Sequence, residues 1–114
     1  MKKENIVKKS EDFNRIIKKR EGKSNNYFII NKEKNLDNKA KFGITFTKNL
    51  GNAVTRNKIK RQVKSIIDNN ENIYNKDETY IIIAKKSVLD LKYKEIEKEL
   101  ISLFNKIKGE KNEK

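Results

Sequence analysis

The stretch Lys41–Ile67, KFGITFTKNLGNAVTRNKIKRQVKSII, changes its hydrophobic period part-way along, and that change decides the fold. Up to Thr47 the residues alternate. Phe42, Ile44 and Phe46 fall on one side, and Lys41, Gly43, Thr45 and Thr47 on the other. This is the period of a half-buried strand with a polar, partly basic second face. Beyond Gly51 the apolar residues Ile59, Val63, Ile66 and Ile67 recur at helical spacing and form a stripe that can cover a sheet. Further on, TYIIIA at Thr79–Ala84 is continuously apolar and rich in β-branched residues, as in a central strand covered on both faces.

Outward from this segment the elements are shorter but readable. Ser10 is placed as an N-cap, followed by Glu11 and Asp12 at the positive helix end, with Phe13, Ile16 and Ile17 on one face. That first helix should run to about Arg20, with Lys18, Lys19 and Arg20 at its negative end and Gly22 just past its C-terminus. Tyr27–Asn31 reads as a strand, Asn35–Asn38 as a turn, and Asp68–Asn75 as a polar loop. Ile96, Leu100, Leu103, Phe104 and Ile107 predict a last helix, ended by Gly109. Three strands are clear by this reading. The organisation expected is one domain over residues 1–108 and a charged, frayed tail over 109–114.

The helical half of the opening segment carries Arg56, Lys58, Lys60, Arg61 and Lys64, and no carboxylate occurs between Asp37 and Asp68. The whole chain has 29 basic and 16 acidic residues, a net charge of +13, so the positive potential is both large and segregated. Surface helices usually mix signs for i,i+4 pairing; this one accepts self-repulsion, which points to a polyanion partner over mere solvation. An anionic membrane surface fits poorly, because the apolar stripe is needed for the sheet. Asn57, Lys60, Arg61 and Lys64 group opposite the stripe. An ideal wheel puts Arg56 at the flank of the stripe near Val63, so either the helix starts later or Arg56 has a role apart from the ridge.

Composition removes several chemistries. With neither Cys nor His there can be no disulfide, thiolate nucleophile, imidazole base or Cys/His zinc site, and any metal would be a hard ion on oxygen ligands. The carboxylate neighbours Glu11/Asp12, Asp77/Glu78 and Glu97/Glu99 fit helix starts, loops and solvated faces, and none makes a two-metal nuclease site. No catalytic residue and no protein-held metal are therefore expected. MKKENIVKKS has no apolar signal core and no run could span a bilayer, so a cytoplasmic protein without membrane contact is expected.

The pattern FGITFTKNLGNAVTRNKIKRQVK closely resembles the signature of the bacterial ribonuclease P protein component: Gly51-Asn52-Ala53-Val54, then Arg56-Asn57-Lys58, then Lys60-Arg61. KKSEDF at Lys8–Phe13 and YIIIAKK at Tyr80–Lys86 extend the resemblance over nearly the whole chain. It implies an α/β (α+β) two-layer sandwich of α-β-β-β-α-β-α order, ribosomal protein S5 domain 2-like. It also implies a left-handed crossover, where general rules give a right-handed one. The implied function is the small protein subunit of an RNA-based endonuclease that removes the 5′ leader of precursor tRNA.

By the same resemblance the catalytic Mg²⁺ is bound mainly by the RNA. The partners are ribonuclease P RNA and precursor tRNA, with the protein a monomer in the holoenzyme. Arg56, Asn57, Lys58, Lys60, Arg61 and Lys64 would contact the RNA subunit. Phe13, Ile17, Asn31, Thr45 and Lys48 would line a leader groove between the first helix and the sheet. Ile17 stands where the family often has an aromatic and Asn31 where it often has Tyr, which would weaken stacking. For Phe13, packing against the sheet and leader contact are equally open. The rival reading is a structural RNA-binding protein of ribosomal type, which explains the charge but not the combined motifs.

Overall fold

The two periods of Lys41–Ile67 become β3 (Lys41–Phe46) and α2 (Ala53–Asp68). The computed structural model describes residues 1–48 and 50–110. The full order is α1 (Ser10–Lys19), β1 (Gly22–Ser24), β2 (Phe28–Lys34), β3, α2, β4 (Glu78–Ala84) and α3 (Tyr93–Glu110), with 3-10 turns at Lys3–Asn5, Glu71–Ile73 and Lys86–Asp90. The mixed sheet runs β1-β2-β4-β3. β4 is central as its apolar run predicts, antiparallel to β2 and parallel to β3, and the parallel pair requires a crossover, which α2 supplies.

The faces of the sheet carry different loads. Tyr80, Ile82 and Ala84 of β4 join Phe28, Ile30, Phe42 and Ile44 in the main core, closed by the apolar stripes of α2 and α3. Tyr80 stacks on Phe42 at 5.6 Å between ring centroids and meets Phe104 edge-on at 5.2 Å. The alternate residues of the strands, Asn31, Ile81 and Gly43, lie in one register row on the opposite face. There α1 packs, with Ile16 fully buried.

Local details depart from the sequence expectation. The fourth strand, β1, is Gly-Lys-Ser; it pairs with β2 at the sheet edge and has no hydrophobic period to detect. Ser10 is the first helical residue of α1, not its cap, and the N-cap Lys9 makes no side-chain capping bond. The left-handed residue ending α1 is Arg20 (φ 54°), whose N–H bonds Ile17 C=O at 3.1 Å; Gly22, just past that end, opens β1. Within Asp68–Asn75, Asp68 ends α2 and Ile73 is buried. The last helix does not stop at Gly109 but continues to Glu110, and residues 111–114 of the expected tail lie outside the described residues.

α1 is clasped to the sheet by charge. Arg15 donates to both oxygens of Glu33 (Nε to Oε1 3.1 Å, Nη2 to Oε2 2.8 Å), and Lys19 Nζ reaches Oε1 at 2.6 Å. The Arg15 hydrogen bonds, helped by Lys19 and opposed by burial, hold the Glu33 carboxyl down from its ordinary 4.5 to about 2. A depressed carboxyl stabilises the fold above its unfolded value and loses that contribution as pH falls towards its folded one. Glu33→Gln is therefore expected to cost about 1–3 kcal/mol at pH 7 after screening at half-exposed Arg15, and the deficit should fade between about pH 4.5 and 2. Urea unfolding at several pH values measures it; a deficit independent of pH would mean that Glu33 acts only by packing.

Candidate nucleic-acid interface

β3 leaves the sheet under tight control. Thr47 N–H donates to Ala84 C=O at 3.0 Å, Leu50 is fully buried, and Gly51 turns the chain at φ +102°, a conformation open to glycine. Asn52 then caps α2, its side-chain oxygen accepting from Thr55 N–H at 3.0 Å. The first residue of α2 to enter the core is Ile59, so the opening turn projects into solvent. Ala53, Val54, Arg56, Asn57 and Lys58 are all exposed. This settles the position of Arg56: it lies at the angle of the stripe but ahead of the point where the stripe meets the core.

Further along, Arg61 is exposed, while Lys60 and Lys64 are half-buried, an environment in which a lysine stem can pack while its ammonium stays in water. Among the described residues none of the five α2 cations is in an ion pair, whereas carboxylates elsewhere hold Arg15, Lys19, Lys32, Lys34, Lys39 and Lys41. Six polar side chains on consecutive turns and no acidic residue in the first turn suit a phosphate backbone.

The second surface lies on the other face of the sheet. Gly43 lets α1 approach: a Cβ there would stand 2.6 Å from Phe13 Cζ and 2.8 Å from Ile81 Cδ1. Phe13 therefore rests its ring tip on the strand and remains half-exposed, packing and lining at once. Ser10, Phe13, Asn14, Ile17, Ile44 and Thr45 enclose an open cleft of about 320 Å³. The register row Ile29–Ile83–Thr45 runs across the same face, each residue half-exposed. Ile29 and Ile83 share this face with Thr45, although their sequence context reads only as core strand.

The expected leader residues are thus brought together only in part. Phe13, Ile17 and Thr45 share the cleft. Asn31 is 7% exposed, paired with Ile81 in the row next to the cleft's, and does not line it. Lys48 is exposed just beyond the end of β3 and is not among the lining residues. An aromatic edge, an apolar floor and a threonine hydroxyl suit the base and sugar of a single strand without reading its sequence. Among the described residues no group of three or more carboxylates is placed to hold a metal ion.

The family model for ribonuclease P matches residues 1–108. The chain belongs to the ribonuclease P protein family. The ribonuclease P protein component of Mycoplasma mycoides is 41% identical over 109 residues, spanning 95% of this chain and all of that one. That of Streptococcus pneumoniae serotype 4 is 39% identical over 104 residues, 91% of this chain and 85% of the relative. A Staphylococcus aureus RNase P protein mutant with defective mRNA degradation activity superposes with a TM-score of 0.83 at 30% identity, covering 93% of this chain and 90% of that one. The RNase P protein of Thermotoga maritima gives 0.80 at 25% identity, covering 88% and 94%. As a ribonuclease P protein component this chain is the protein subunit of a ribonucleoprotein endoribonuclease acting in tRNA processing, with an RNA subunit as its partner. Among the described residues no helix is long and apolar enough to cross a membrane.

Proposed function

We propose that this ribonuclease P protein holds two RNAs on opposite faces of its sheet: the RNA subunit along α2, and the single-stranded 5′ leader of precursor tRNA in the cleft beside α1. The observation that carries this reading is their separation. α2 spends its apolar stripe on the core, and among the described residues its cations are in no ion pair, while Phe13 and Thr45 form a cleft of different chemistry on the far face. Arg56, Asn57, Lys58, Lys60, Arg61 and Lys64 neutralise and hydrogen-bond the RNA subunit; Phe13, Ile17 and Thr45 contact the leader, with Asn31 beneath α1 and Lys48 at the strand end supporting that side. The protein supplies no reacting group, and Mg²⁺ belongs to the RNA. One copy acts per holoenzyme, in the cytoplasm.

Cations that replace counterions on RNA lower the divalent ion needed for a folded, substrate-bound complex. Adding the protein to a bacterial ribonuclease P RNA at low Mg²⁺ should therefore restore correct 5′ cleavage of precursor tRNA, and protein without that RNA should cleave nothing. RNA binding with no gain in cleavage would favour a structural binder of ribosomal type.

A further inference from the structure

We infer that the cleft between α2, the 3-10 turn Lys86–Asp90 and the start of α3 receives one unpaired nucleotide of the RNA subunit, an inference that rests on α2 being the face that docks this RNA. The cleft measures about 520 Å³, and Lys58, Ile59, Leu89, Leu91, Lys92 and Tyr93 are among its walls. That is ample for a nucleoside.

Its surface is unusual for this chain. The large apolar side chains most exposed among the described residues are Leu36, Val54 and Leu89. Leu89, at 42%, lines the cleft, and Val54, at 76%, stands one helical turn before Lys58 on the same side of α2. Leu36 lies apart, in the β2–β3 connection. A lone exposed apolar residue means little, but here the apolar wall is combined with a fixed ring and paired cations. Tyr93 is half-buried, and its hydroxyl donates to Ser65 Oγ at 3.0 Å, which pins the ring between α2 and α3. Lys58 of α2 and Lys92, just ahead of α3, are exposed and both line the cleft, and neither is in an ion pair among the described residues. Glu95, the acidic residue in the first turn of α3, is engaged in accepting the Lys92 backbone N–H at 2.8 Å. Asp90 on the 3-10 turn is exposed but does not line the cleft.

An apolar and aromatic recess between two cations is what an extruded nucleotide needs: a surface for the base and charge for the phosphates on either side. Both rim charges are positive and continue the α2 cations, none in an ion pair among the described residues, which favours RNA over a protein segment as occupant. The cleft would fix the register in which α2 lies on the RNA, where the ridge alone supplies affinity.

The test uses holoenzyme assembled from the full chain and ribonuclease P RNA. A photoreactive p-benzoylphenylalanine replacing Leu89 should crosslink to a single unpaired nucleotide, and the same probe replacing exposed Asn105 on α3 should not. Lys92→Ala should reduce the salt slope of RNA-subunit binding by about one, and Leu89→Asp should weaken binding at least ten-fold at fixed salt. Both positions are solvent-exposed, so circular dichroism should report an unchanged fold. If Arg56→Ala/Arg61→Ala/Lys64→Ala binds the RNA normally, the parent reading fails and this one with it. If that variant is weakened while Leu89→Asp and Lys92→Ala bind as wild type and position 89 yields no RNA crosslink, the nucleotide cleft alone is overturned. A crosslink from position 89 to protein would equally overturn it.

Discussion

Replacing Arg56, Arg61 and Lys64 together by Ala is expected to flatten the salt dependence of RNA-subunit binding by about two to three in log–log slope, and to lower affinity roughly a hundred-fold at 0.1 M salt. The expectation follows from the state of these side chains in the free protein. Arg56 and Arg61 are exposed, Lys64 is half-buried, and none is in an ion pair among the described residues. A phosphate contact therefore requires no intramolecular pair to be broken first. The loss should be the same for unrelated RNA sequences, because backbone contacts carry no base information. Stability should change little, since solvent-facing substitutions usually fall within about 0.5 kcal/mol each and this set also removes mutual repulsion. Binding titrations at four or more salt concentrations measure the slope; one equal to wild type would mean that the helix is simply solvated.

Phe13→Ala should damage a different property. In the assembled holoenzyme it is expected to weaken precursor tRNA binding by several-fold to about a hundred-fold while leaving mature tRNA binding unchanged, because only the precursor has a leader to stack. That range is the worth of one aromatic platform, about 1–3 kcal/mol, and the lower end is expected because the cleft offers Ile17 where a second ring would help. The structure also specifies the control. The Phe13 ring tip rests on Gly43, so its removal opens a gap under α1 and costs stability, up to about 3–5 kcal/mol for a buried Phe. Phe13→Leu fills much of that gap without a π-face. If Phe13→Leu regains thermal stability yet keeps the precursor defect, the ring acts on RNA; if it restores both, Phe13 serves only to seat α1.

How much was legible varies by element, for a physical reason in each case. β3, α2, β4 and α3 each bury many apolar residues at a regular period, so their existence and inward faces follow from Phe42/Ile44, Ile59/Val63, TYIIIA and Leu100/Phe104. β1 carries no such pattern, since an edge strand held by backbone pairing with Ile29–Asn31 of β2 needs no apolar side chain. The helix ends were the weakest part. Ser10 and Gly22 are chemically suited to cap α1, but its first turn goes uncapped by a side chain and Arg20 takes the left-handed position. Propensity at one residue is worth less than the packing that seats the whole helix.

The same division holds for the site. The basic, carboxylate-free run and the ordered motifs from Phe42 to Lys64 are covalent properties of the chain, and they determined by themselves the family resemblance, the polyanion partner and the absence of cysteine or histidine chemistry. Only tertiary structure decided which of those residues reach solvent. Arg56 is freed because α2 overhangs the core by its opening turn. Phe13 becomes a cleft wall because Gly43 admits its ring. Asn31 is withdrawn beneath α1, and Leu89 and Lys92 are brought up to Lys58 from a distant part of the chain. Hydrophobic period reports which side of an element faces inward, but exposure depends on where that element ends against its neighbours, and strand register and helix overhang are fixed only when the layers pack.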